Sequence, residues 1–84
     1  MALDVVETLC SLVAIPSVNP MGRDDTGDEF YEYRMTDRLE EIFRSIGLPW
    51  ERQQIAPKRS NIMARLDGGD QLLVFEAHQD TVPV

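Results

Sequence analysis

The chain has 84 residues, of which 43% are apolar and 27% charged, and it carries a net charge of −7 at neutral pH. That length allows one small domain with a modest core, and the composition is that of a globular chain, not a disordered tail. The acidic balance excludes a nucleic-acid partner, which demands a basic face, and no run approaches the roughly 18 apolar residues of a membrane span.

In chain order, the first expected element is a helix over residues 4–14. Asp4 and Glu7 stand three apart, in the manner of a capping box, and Val5, Leu9, Leu12 and Val13 share one side at helical spacing. Pro16 ends it by restricting Ile15 and withholding an amide donor. Cys10 has no second cysteine to pair with, and its apolar neighbours predict a buried, inert thiol. The unpaired cysteine and an N-terminus without a basic region, interrupted by Asp4 and Glu7, make a cytoplasmic protein the expectation. Residues 16–28, with two prolines and two glycines, read as a loop; a loop of that length is either functional or a surface excursion.

A second helix is expected to follow, opened by a capping box of Thr26 and Glu29 with Asp28 as a competing N-cap. Met35, Leu39, Ile42, Phe43 and Ile46 form its apolar stripe, extended one turn by Tyr31, and this stripe reads as core packing. Gly47 is placed as the left-handed residue past its end, with Pro49 blocking continuation. Strands are then expected at residues 50–55, as a polar edge strand, and at 62–66. Asp67, Gly68, Gly69 and Asp70 should turn the chain into Leu72, Leu73, Val74 and Phe75, a run apolar on both faces, as in a central strand covered from both sides. Lys58, Arg59 and Arg65 read as a solvated strand face.

Chemistry is concentrated in the last residues. His78 follows the apolar run and so should emerge at the carboxyl end of a strand, where ligands and metals collect in α/β sheets. Asp80, two residues on, would project to the same side. A neutral imidazole binds zinc through one nitrogen and offers its other N–H to an acceptor, a role suited to Asp80. Taken alone, such a pair is more often a structural histidine beside a turn aspartate. One histidine and one cysteine also fall short of the three protein ligands that a catalytic zinc site needs at least. No nucleophile elbow, paired-histidine zinc helix or glycine-rich phosphate loop is present.

Residues 78–84, His-Gln-Asp-Thr-Val-Pro-Val, resemble the Gly-His-x-Asp-Thr-Val-Pro motif of the acetylornithine deacetylase and succinyl-diaminopimelate desuccinylase family of zinc-dependent amidohydrolases. Residues 12–20, with Ile15-Pro16-Ser17, resemble that family's first helix end and the turn after it, and Asn61 before an apolar strand resembles a further segment. Ala77 departs from the family's glycine, a change a strand tolerates. The resemblance implies that residues 1–84 are the N-terminal portion of a catalytic metal-binding domain. Its fold would be α/β, part of an α/β/α sandwich whose sheet begins as an antiparallel meander and becomes mixed, incomplete in this chain. It further implies that His78 ligates one of two zinc ions (cobalt being a possible substitute) and that Asp80 is the catalytic-site carboxylate orienting it. The remaining ligands, the general base and the dimerisation domain would lie elsewhere. The implied substrate is a small N-acyl amino acid or peptide, with no nucleic acid and no membrane as partner. Exposed apolar strand edges make an inert, self-associating homo-oligomer the alternative for the chain by itself, and an interaction module with a structural histidine a third.

Overall fold

The computed structural model describes residues 3–23 and 27–83. Its elements are helices α1 (Val5–Val13) and α2 (Tyr33–Ser45) and strands β1 (Trp50–Ala56) and β2 (Arg59–Ala64). The class is thus mixed α and β, with a two-stranded antiparallel sheet.

Helix α1 begins as expected: the Asp4 carboxylate accepts the Glu7 amide N–H at 2.9 Å, satisfying one of the free donors of the first turn. It buries none of its residues, however. Cys10 is therefore exposed, not buried, because the helix's apolar side is uncovered in this chain.

Helix α2 starts later than its sequence suggests. Thr26 lies outside the described residues, and Glu32, not Asp28, occupies the N-cap position, without a side-chain cap. The reason is competition for backbone groups. The Val18 amide donates to Glu29 O at 2.8 Å and the Tyr31 amide to Val18 O at 2.9 Å, so residues 29–31 pair with residue 18 and cannot wind. Tyr31 sits at φ 72, a left-handed conformation that a helix forbids, and so does not extend the stripe. Met35 and Ile42 of the stripe are buried. At the other end the helix closes as expected. Gly47 takes φ 77, its amide donates to Arg44 O at 3.2 Å, and the Leu48 amide donates to Phe43 O at 2.9 Å, the two bonds of a Schellman motif.

Strands β1 and β2 form a hairpin in which Trp50 faces Ala64 and Gln54 faces Ser60, with an irregularity between Gln54 and Ala56. Its turn is Pro57-Lys58, with Lys58 at φ 63. The hairpin expected at residues 67–70 does not form: Leu72, Leu73, Val74 and Phe75 join no strand and are between 71% and 89% exposed. An apolar run without a covering layer gains nothing by lying flat in a sheet. Arg59 is also not a solvated cation. It is half-buried and gives two hydrogen bonds to Glu32, at 2.6 and 3.1 Å, which tie β2 to the start of α2.

Candidate metal centre

The loop after α1 holds the site together. Between its two prolines, residues 17–19 run extended and bond on both sides. Val18 bridges Phe30 on one side and Thr81 on the other, both in parallel sense. The Asn19 amide donates to Thr81 O at 2.8 Å, and the Thr81 amide donates to Ser17 O at 3.0 Å. Pro16 and Pro20 keep the helix from continuing through this segment, which leaves its amides and carbonyls free to pair.

Gln79 is the anchor of the C-terminal arm. Its backbone carbonyl accepts the Ser17 hydroxyl at 2.9 Å, with Ser17 only 1% exposed. Its side-chain carbonyl accepts the hydroxyl of fully buried Thr36, on α2, at 2.7 Å, and its amide donates to Ser60 O, on β2, at 2.8 Å. One residue therefore joins the loop, through its backbone, to the helix and the sheet, through its side chain. Because Gln79 points inward, its neighbours His78 and Asp80 take the opposite side of an extended chain.

His78 and Asp80 do meet. The ring Nδ1 lies 3.0 Å from Asp80 Oδ1 and 2.8 Å from the Asp80 carbonyl oxygen. Both are acceptors, so in the neutral ring the contacts assign the proton to Nδ1 and the lone pair to Nε2. The His78 side chain is 84% exposed and the Asp80 side chain 27%. Asn19 Nδ2 donates to Asp80 Oδ2 at 2.8 Å. That bond holds the Asp80 carboxyl below the usual carboxylate range, against the opposing effect of partial burial, with the His78 bond adding to it. The Arg59 guanidinium is held protonated chiefly by its hydrogen bond to Glu32, and the Asp80 charge contributes. It also lies 5.5 Å from the Tyr31 ring centre, a cation–π contact.

A histidine with Nδ1–H on a carboxylate and Nε2 open to solvent has the form of an oriented metal ligand. The donor set stops there. Among the described residues, no group of three or more His, Cys, Asp and Glu side chains could hold a metal ion. Glu76 is exposed, outside any strand. The chain thus fits a zinc ion as the source of one ligand and its orienting carboxylate, not as a complete site.

Asn19, Ser17, Thr36 and Gln79 escaped sequence reasoning, since each bonds across 43 to 62 positions of chain. The one local signal was the proline-flanked polar segment, whose role the loop composition left open. No described helix is long and apolar enough to cross a membrane.

Over 81 residues, or 96% of its length, the chain is 35% identical to an acetylornithine deacetylase of Vibrio cholerae serotype O1. It is 31% identical to that of Vibrio campbellii and 28% identical to that of Vibrio atlanticus, over the same share of the chain. In each case the match covers 20% of the relative, so the chain spans about a fifth of the length of these curated proteins. No protein-family model matches the chain, and no solved structure matches it significantly.

Proposed function

We propose that the chain serves as the N-terminal portion of a zinc-dependent hydrolase of the acetylornithine deacetylase and succinyl-diaminopimelate desuccinylase family. Its substrates would be amide bonds of N-acyl amino acids or small peptides. The observation that carries this is the His78–Asp80 pair, with Nδ1 bonded at 3.0 Å and Nε2 free. Similarity to acetylornithine deacetylases along nearly the whole chain supports the same family.

In this proposal His78 Nε2 holds one of two zinc ions and Asp80 keeps the ring in its ligating tautomer. When bound, such an ion supplies polarisation of an amide carbonyl and a water acidified to near neutrality. The further ligands and the general base come from segments beyond these residues. The exposed run of Leu72, Leu73, Val74 and Phe75 becomes the central strand of a mixed sheet covered by the rest of the domain. An open groove of about 750 Å³ between α2, β2 and residues 74–79 supports this reading, as a surface that such a cover would fill.

The test is a longer polypeptide containing these residues, assayed for zinc content and for acyl release from N-acetyl and N-succinyl amino acids. Bound zinc and hydrolysis are expected, both collapsing in His78→Ala, while the 84-residue chain alone gives no turnover. Unchanged metal content and turnover in His78→Ala would contradict the proposal. A second reading, homo-oligomerisation of the chain by itself, is favoured by the same apolar run, since contiguous exposed apolar residues drive association.

A further inference from the structure

We infer that Asn19 is a positioning residue, whose side-chain amide fixes the plane of the Asp80 carboxylate and through it the tautomer of His78. This rests on the proposed ligand role of His78 and adds a residue to it from the loop after α1.

The terminal torsion of an aspartate is broad, so a carboxylate held at one oxygen swings easily. Asp80 is held at both. Oδ1 accepts from His78 Nδ1 at 3.0 Å and Oδ2 accepts from Asn19 Nδ2 at 2.8 Å. Asn19 is itself pinned at both ends of its amide. Its Oδ1 accepts the Met21 N–H at 2.8 Å, which settles which way round the amide lies. Its backbone N–H donates to Thr81 O, one residue from Asp80. A continuous chain of bonds thus runs from the Met21 amide through Asn19 and Asp80 to the ring, and ends at a free Nε2.

The residue type follows from this. The contact with Met21 needs an acceptor and the contact with Asp80 needs a donor, and a short amide supplies both. Aspartate keeps the acceptor and loses the donor. Serine keeps a small hydroxyl that falls short of Asp80. The turn at Met21 uses only Oδ1, so a purely local structural role would leave Nδ2 dispensable.

The sequence contains a single histidine, so its ring nitrogens can be read without ambiguity by ¹⁵N NMR of the 84-residue chain. The ratio of Nδ1–H to Nε2–H forms of the neutral ring is measured from the two nitrogen shifts. The native chain is expected to favour Nδ1–H. In Asn19→Asp and in Asn19→Ser the ratio should fall by about twofold to threefold, the lower end of the net worth of one hydrogen bond, because the Asp80 carbonyl still accepts from Nδ1 at 2.8 Å. The Thr81 amide resonance reports whether the loop and arm remain paired. An unmoved ratio in the folded variants overturns the role of Asn19 and leaves that of His78 standing. A native ring with its proton on Nε2 overturns the ligand reading and the inference with it. Loss of the folded amide spectrum in both variants would assign Asn19 to the fold and not to the ring, and would overturn the inference too.

Discussion

Gln79→Ala isolates the joint between the C-terminal arm and the rest of the molecule. The substitution removes the acceptor of the Thr36 hydroxyl, at 2.7 Å, and the donor to Ser60 O, at 2.8 Å. A typical internal hydrogen bond is worth about 0.5–1.5 kcal/mol net, so the pair should contribute about 1–3 kcal/mol. Thr36 can redirect its proton to Glu32 O, which lies 3.1 Å away, so no buried donor is orphaned and the lower part of that range applies. The expected loss is about 1–2 kcal/mol. For a chain of this length total stability is of the order of 4–12 kcal/mol. With only Met35 and Ile42 as buried apolar side chains among the described residues, the lower end is appropriate and the loss is a large share of it. Urea denaturation should show a lower midpoint at an unchanged slope, and the Thr81 amide should exchange faster with solvent. A loss below about 0.3 kcal/mol, well under the worth of one hydrogen bond, would refute the anchoring role of Gln79.

Three further outcomes are expected. Gly47→Ala should cost about 1–2 kcal/mol by thermal denaturation, because φ is 77 there while a new Cβ would meet no atom within 4 Å, so the cost is conformational alone. The Asp80 carboxyl titrates below its unfolded value, so the stability it contributes is present above the ordinary aspartate pKa of about 3.9 and is lost as pH falls through the lower folded value. Asp80→Asn should flatten that acid limb of the stability profile, and an unchanged limb would rule out Asp80 as its source. Light scattering should find the chain associated, and Val74→Lys should lower the apparent mass; a dilute native monomer would remove the self-association reading.

The parts of the fold legible in sequence are those set by local chemistry. Asp4 caps α1 because the cap and its donor are three residues apart, and Gly47 ends α2 because few other residues tolerate φ 77. The late start of α2 was not legible, since it depends on Val18 claiming the backbone of residues 29–31 from across the chain. The exposure of Cys10 and of Leu72 to Phe75 was hidden for a related reason: apolarity predicts burial only if a covering layer exists. Arg59 read as a surface cation because its partner Glu32 is 27 positions away. At the site, His78 and Asp80 could be paired from spacing alone. Their supports could not, because Asn19 reaches Asp80, and Ser17 and Thr36 reach Gln79 between them, only after the arm has folded back.

The most direct test of His78 as a metal ligand is titration of the chain with paramagnetic cobalt, followed by amide NMR. Weak binding is sufficient, since one imidazole cannot close a site. Broadening should centre on Gln79, Asp80 and Thr81 and vanish in His78→Ala. Broadening that persists at those residues in His78→Ala, or that gathers instead around Glu40 and Glu41, would contradict the assignment.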